Sequence, residues 1–267
     1  MNDNSDLLTF VSRHWEKLLE QTGQHIGLTL ASILLAVVVG VPAGILVSRK
    51  RNWSSTVLGI AGVMQTIPSI ALLGLLIPLL GIGPKPAIAA LFLYGLLPII
   101  RNTYTGITSV DPEITDAARG LGMSDRQVLL KVELPLATPV ILAGIRIATV
   151  INVGVATLAA YIAAGGLGEF IFGGISLNNP TMMLAGAIPA ALLALAFDFV
   201  LSRLQKLRIR RTVDAVTTLA LIMLLSGFYL IPSGRNENLL AGFTPEFMGR
   251  SDGYLGLREV YDLRIPT

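Results

Sequence analysis

The sequence predicts an all-α, polytopic membrane protein, and three observations carry that expectation. Apolar residues make up 53% of the chain and charged ones only 14%, with a mean hydropathy of +0.70. A soluble domain is about a quarter charged, and a globule of this length still needs a polar skin. The apolar residues also gather into six runs, each long enough to cross a bilayer at about 20 residues of helix. Finally, lysine and arginine collect in every second connection between runs, the pattern of a chain threaded back and forth with its basic loops inside.

The first run spans residues 26–48 and follows a polar segment of mixed charge, 1–25. That segment lacks the basic start and short apolar stretch of a cleaved signal, so the first run is expected to stay as a span. The second, 57–80, and the third, 87–105, contain Pro68, Pro78 and Pro98, and kinks or breaks are expected there. The fourth, 135–164, is longer than a bilayer needs and is expected to start at the cytoplasmic surface, entering past Pro139. The fifth covers 181–201 and the sixth 213–231.

Arg49, Lys50 and Arg51 follow the first run. Arg101, Arg119, Arg126 and Lys131 flank or occupy the linker after the third, and Arg203, Lys206, Arg208, Arg210 and Arg211 follow the fifth. The alternate connections hold only Lys85 and, over 165–180, no basic residue. Both termini are therefore expected outside the cytoplasm. Small residues repeat every fourth position at Ala36, Gly40 and Gly44, and again at Gly186, Ala190 and Ala194, as helices packing closely in lipid require.

The net charge of +3 and pI near 9.3 do not imply nucleic acid, because the basic residues sit between apolar runs. With no cysteine there are no disulfides or thiolate metal sites. Two histidines, His14 and His25, both lie ahead of the first run and weigh against a histidine metal centre or a histidine-based triad. No Gly-Lys pair occurs, so the chain lacks a phosphate-binding P-loop.

The linker between the third and fourth runs carries the sharpest signal. Asp111-Pro112-Glu113 reads as a helix start, with an N-cap, a proline in the first turn and an early carboxylate. That helix is expected to run to Leu121, with Gly122 as its left-handed stop. Ser124 and Gln127 form a capping box that opens a second helix, which ends at the Leu134-Pro135 step.

Asp116-Ala117-Ala118-Arg119-Gly120-Leu121-Gly122, then nine residues, then Val132-Glu133-Leu134-Pro135, resembles the EAA loop of ABC importer permeases. Every spacing of that loop is kept, with Asp116 for glutamate and Val132 for isoleucine. The resemblance implies that the short helix docks in a cleft on a separate ATP-hydrolysing subunit. It assigns that coupling role to Asp116, Ala117, Ala118, Gly120, Gly122, Leu134 and Pro135. An amphipathic helix lying on lipid headgroups is the plainer alternative, but Ile114, Ala117, Ala118 and Leu121 make a small apolar face for it.

Gln65-Thr66-Ile67-Pro68-Ser69, the glycine-rich stretch around Gly81-Ile82-Gly83, and 93–104 are similar to the osmoprotectant branch of these permeases, which imports glycine betaine, choline and carnitine. The likeness spans about 29–201. It implies the type I fold, five core helices here at 26–211, with a sixth at 212–231 added. It also implies the bacterial inner membrane as location, ATPase subunits that bind ATP and magnesium, an extracytoplasmic binding protein, and a second permease copy, a homodimer being favoured over a sister permease. No cofactor is expected on this chain. Pieces of 232–267, such as Gly242-Phe243-Thr244-Pro245-Glu246-Phe247, resemble a fragment of the substrate-binding domain that some members carry fused.

Polar residues inside the runs are candidates to line the pathway: Gln65, Thr66 and Ser69 in the second run, and Thr149, Asn152 and Thr157 in the fourth. Hydrogen bonding between helices accounts for each of them equally well. Asp198 is expected to pair with Arg203, and Arg101 and Arg146 to snorkel or to meet the ATPase. Two rival readings stay open. One is an ABC permease for ergothioneine or an amino acid. The other is an ion-coupled secondary transporter, which would leave the EAA-like loop unexplained.

Overall fold

The computed structural model describes residues 7–205. The expected sixth span at 213–231, the tail at 232–267 and the basic residues from Lys206 onward lie outside the described residues. Among the described residues there are helices and turns and no strand.

Helix α1 (Leu7–Arg13) leads into α2 (Trp15–Arg49), which starts well ahead of residue 26. The boundary expected at 25/26 therefore has no structural counterpart. Residues 15–25 bury Leu18, Gln21 and His25 along one helical face, so their polar character is that of an inward stripe. The second run divides into α3 (Arg51–Thr66) and α4 (Ser69–Leu80), bent by 97° at the break. The cause is Pro68: Ile67 before it is forced into extended backbone, φ −67° and ψ 126°. Pro78 and Pro98, by contrast, sit inside unbroken helices, the latter in α5 (Pro84–Thr108).

After α5 come α6 (Pro112–Gly120) and α7 (Asp125–Val128), then a π-helical turn at Leu129–Glu133 that opens into α8 (Leu134–Ala156). The helix end expected at Leu134-Pro135 is absent, and Leu134 is helical at φ −60°, ψ −45°. Pro135 has no N–H to give and its ring crowds the preceding turn. A widened turn there, closed by Leu134 N–H on the Leu129 carbonyl, accommodates the ring without ending the helix. A 3₁₀ segment, Thr157–Ile162, closes α8. The glycine-rich stretch read as loop then forms α9 (Gly168–Ser176), and α10 (Pro180–Gln205) completes the described chain.

Among the described residues four helices are long and apolar enough to cross a membrane, or five if the bent α3/α4 pair is one span. That agrees with the five-helix core expected. Helix α5 lies at the centre, packed against α2 and α8, which also touch each other. Leu28, Leu91, Ala87, Ala156 and Ile162 form one core cluster, and Ile33, Ile99, Ala137, Ile141 and Ala148 another. The small face of α2 makes the approach possible: a Cβ on Gly44 would stand 2.5 Å from Thr103 Cβ. Large apolar side chains such as Leu35, Val38, Leu75, Leu79, Leu192 and Leu195 point outward, as they do when hydrocarbon is the outer solvent.

The two ends of the bundle are distinct. Gly83 N–H donates to the Ile162 carbonyl at 2.9 Å, joining the glycine-rich turn before α5 to the end of the 3₁₀ segment. At the opposite end Arg49 pairs with Glu133, and Gln205 Nε2 donates to the Pro139 carbonyl at 2.9 Å. The basic connection after α2, the α6–α7 linker and the end of α10 are thereby gathered at one end, as the alternation of charge requires.

Candidate coupling helix and membrane-embedded polar groups

Helix α6 is short, and its ends are closed by its own residues. Asp111 Oδ1 accepts the Glu113 N–H at 2.9 Å, the N-cap expected of the Asp-Pro-Glu start. At the other end Met123 N–H reaches the Ala118 carbonyl at 3.2 Å and Gly122 N–H the Arg119 carbonyl at 2.8 Å, a Schellman closure. It requires a left-handed residue, and Gly122 supplies φ +86°. Ser124 N–H donates to Gln127 Oε1 at 2.9 Å, so the capping box that starts α7 is formed. Arg119 holds Asp116 at 3.1 Å and Asp125 at 3.5 Å, bracing α6 against α7 through exposed contacts of small individual worth.

The residues of α6 and its closing turn, the expected docking residues among them, divide into two groups. Thr115 and Ala118 are buried and seat the helix on its own chain, whereas Ile114, Asp116, Ala117, Gly120 and Leu121 point outward, Leu121 being 82% exposed. Ala118 therefore belongs to the inner seam and not to the outward face. Gly122 is exposed at the turn, and Leu134 packs with Leu129 against the cluster around Ile107 and Ala137, so Leu134 and Pro135 belong to the root of the stub.

One contact in this region has no precedent in the sequence reading. Glu133, in the widened turn, is 7% exposed, and its carboxylate takes both ends of the Arg49 fork, with Nη1–Oε1 at 3.2 Å and a second, shorter contact from Nη2. A bidentate pair of this kind fixes geometry as well as charge. It ties the root of the stub to the end of α2. No local signal marks it, because the partners are 84 residues apart.

The polar residues of the second run serve the backbone. Pro98 cannot bond the Tyr94 carbonyl four residues earlier, and Gln65 Nε2 takes that carbonyl at 2.9 Å. The Tyr94 hydroxyl in turn donates to the Ile67 carbonyl freed at the α3/α4 break. Ser69 lies beside that hydroxyl, and Thr66, exposed, donates to the Val63 carbonyl at 2.7 Å. Gln65 and Ser69 are four positions apart in the second run, but the elbow between them places them on different helices. In α8, Thr149 and Asn152 are buried. Thr149 donates to the Ile145 carbonyl at 2.8 Å, and Asn152 Nδ2 to the Leu91 carbonyl at 2.9 Å and to Ser32 Oγ at 3.2 Å. Both lie between helices and away from any open surface. Thr157 is half-buried and donates to the Gly154 carbonyl at 2.7 Å.

A buried polar stripe on α2 also escaped the sequence reading. Gln21, His25, Thr29 and Ser32 are all buried, and they recur at helical spacing. His25 Nε2 donates to the Val153 carbonyl at 3.0 Å, Gln24 Oε1 accepts the Gly166 N–H at 3.0 Å, and Gln21 Nε2 bonds the Glu169 carboxylate. Together these tie the α8–α9 turn to α2. The spacing 21, 25, 29, 32 was visible, but it straddles the point where the polar segment was taken to end.

Asp198 was expected to pair with Arg203. Residues five apart on a helix face different ways, and Asp198 instead takes Arg146 of α8, with Nε–Oδ1 at 2.5 Å and Nη2–Oδ2 at 2.7 Å. Arg203 lies over the Phe199 ring, 4.8 Å from its centroid.

The family model described as binding-protein-dependent transport system inner membrane component matches residues 32–214. The chain belongs to this family. Relatives that it resembles across most of their length include the carnitine transport permease protein OpuCB of Listeria monocytogenes, 46% identical over 74% of this chain and 91% of that protein. The choline transport system permease protein OpuBB of Bacillus subtilis (strain 168) is 44% identical over 73% of this chain and 90% of its own. The osmoprotectant import permease protein OsmW of Salmonella typhimurium is 49% identical over 69% and 88%. Among solved structures, the inward-facing MetNI methionine ABC transporter has a chain with a TM-score of 0.67 at 24% identity, covering 75% of this chain and 98% of that one. The bundle is thus the type I importer permease fold. As a member of the inner membrane component family, the chain is a transport subunit set in the membrane.

Proposed function

We propose that the chain forms the membrane pathway of an ATP-driven importer for a small quaternary-amine osmoprotectant such as glycine betaine, choline or carnitine. The family membership supports a permease role, and the names of the relatives support the solute class. The observation that carries the mechanism is α6: a capped stub with an outward face of Asp116, Ala117 and Gly120, rooted in α8 and strapped to α2. Small side chains on that face permit close docking. We assign its partner as an ATPase subunit that binds ATP and magnesium, so that this chain needs no cofactor of its own. Closure of the ATPase pair on nucleotide would push the stub, and the continuous path from α7 through α8 would carry the push into the bundle. Two permease copies, a homodimer, and an extracytoplasmic binding protein complete the assembly, with both termini outside the cytoplasm.

The test is a bulky residue on the outward face. In vesicles containing the complete importer, Ala117→Trp is expected to lower ATP-driven uptake of labelled glycine betaine by about tenfold or more. Membrane insertion and the detergent melting curve should stay unchanged, because Ala117 is exposed. Normal uptake by this variant, or uptake by the purified permease alone on an ion gradient, would overturn the reading.

A further inference from the structure

We propose that α9, with the turn ahead of it, is a gate latched shut on α2 by Gln21, Gln24 and His25. The gate rests on the importer role assigned above, and it stands at the end of the bundle away from the α6 stub.

The backbone here is built as a joint. Helix α8 does not simply stop but tightens into the 3₁₀ segment Thr157–Ile162, a change of winding that marks hinges. Left-handed residues follow closely: Ala163 at φ +52°, Gly165 at +79° and Gly166 at +89°. Ala163 carries a Cβ, and strained backbone of this kind gathers at switch regions. Gly168 then opens α9 so near the 3₁₀ segment that a Cβ would stand 1.8 Å from the Thr157 carbonyl oxygen. With no side chain between the two backbones, that contact is a pivot.

Helix α9 is held differently on its two sides. Against α10 the backbones themselves meet: a Cβ on Gly174 would stand 2.5 Å from Met183 N, and one on Gly186 2.7 Å from the Leu167 carbonyl oxygen. Helix α9 and the start of α10 therefore travel together, and Pro189 inside α10 gives that helix a place to bend. Towards α2 the ties are polar side chains. Gln24 Oε1 accepts the Gly166 N–H, Gln21 Nε2 reaches the Glu169 carboxylate, and His25 Nε2 holds the Val153 carbonyl at the end of α8. Leu18 of α2 adds an apolar cluster with Leu167 and Phe170.

These ties leave the closed seam poised. Gln21 and His25 are 2% and 0% exposed, yet among the described residues neither Gln21 Oε1 nor His25 Nδ1 has a hydrogen-bond partner. His25 Nδ1 lies under the turn, 3.2 Å from where a Cβ on Gly166 would stand. A buried acceptor without a donor is costly. Lifting the turn lets water reach both atoms, so opening gains hydrogen bonds as it gives up the apolar contact of Leu167 and Phe170. A seam balanced in this way can be tipped by a modest differential push.

The chain contains no cysteine, so a thiol pair placed across the seam can be bridged selectively. Lys17 and Glu169 suit it, since their charged atoms are 3.8 Å apart and their side chains are 61% and 41% exposed. In vesicles holding the complete importer, Lys17→Cys with Glu169→Cys is expected to lose uptake of labelled glycine betaine about tenfold or more when joined by a short bis-thiosulfonate. Reductant should restore it. The loss is measured against the two single-cysteine variants treated alike. A second measurement needs no bridge: Leu167→Cys, at a position fully buried in the closed seam, should react with a charged thiol reagent about tenfold faster when ATP is turning over than without nucleotide. Full ATP-driven uptake through a bridged seam, or equal reaction rates at Leu167→Cys, would make the seam a fixed brace and overturn the gate alone. Wild-type uptake that ignores ATP would overturn the proposed function and the gate with it, which distinguishes the two failures.

Discussion

Gly168→Ala is expected to leave no folded permease. A methyl at this position would stand 1.8 Å from the Thr157 carbonyl oxygen, 2.7 Å from its carbon and 3.0 Å from Ala160 Cβ. The first two are backbone atoms, so no side-chain rotation relieves the overlap. The 3₁₀ segment and α9 would have to separate, and with them the contacts that tie Gln21 and Gln24 of α2 to Glu169 and Gly166. We expect a loss above about 4 kcal/mol, the range reserved for backbone or core disruption. It would be read as a missing monodisperse peak or a collapsed melting transition in detergent. Gly62→Ala in α3 is the control, since nothing lies within 4 Å of the added methyl. There the change should be neutral or stabilising by about 0.5–1 kcal/mol, as for glycine replaced within a helix. A well-folded Gly168→Ala protein would show that the 3₁₀–α9 contact is not as close as described.

The second large effect is expected at Arg49. Arg49→Ala leaves the Glu133 carboxylate buried without its partner, and breaking a buried pair from one side costs about 3–5 kcal/mol. Arg49 is itself 37% exposed, which points to the lower end of that range. Beyond stability, the variant should raise the ATP hydrolysed per solute carried in the assembled importer, because the root of the stub is no longer strapped to α2. The exchanged pair, Arg49→Glu with Glu133→Arg, restores the contact and should recover both readouts. Unchanged stoichiometry in a destabilised Arg49→Ala protein would confine the pair to a structural role.

The two cases show what local sequence can and cannot encode. The α6–α7 linker was legible almost residue by residue, because its determinants are caps and a left-handed glycine, each acting within five positions. The apolar spans were legible from length, and the elbow at Pro68 from the restriction on the residue before it. What escaped depends on contacts across the chain. Pro68 breaks its helix while Pro98 does not, and the carbonyl that Pro98 leaves free is taken by Gln65 from another helix. Asp198 finds Arg146 across 52 residues and not its near neighbour Arg203. Ala117 and Ala118, adjacent and chemically identical, differ only in which way the helix turns them. The polar side chains inside the bilayer were found by composition, but whether they face a neighbour or a cavity is a matter of packing.

The widened turn at Leu129–Glu133 has a geometric effect beyond housing a proline. A π turn absorbs one residue more than an α turn without lengthening the rod in proportion, and one residue of α-helix corresponds to about 100° of rotation. Everything on its amino side, α7 and the α6 stub included, is dialled round the α8 axis by that extra residue. The azimuth at which Asp116 and Ala117 meet whatever lies beneath the membrane is thus written into a single surplus position in the rod, like the offset of a crank on its shaft.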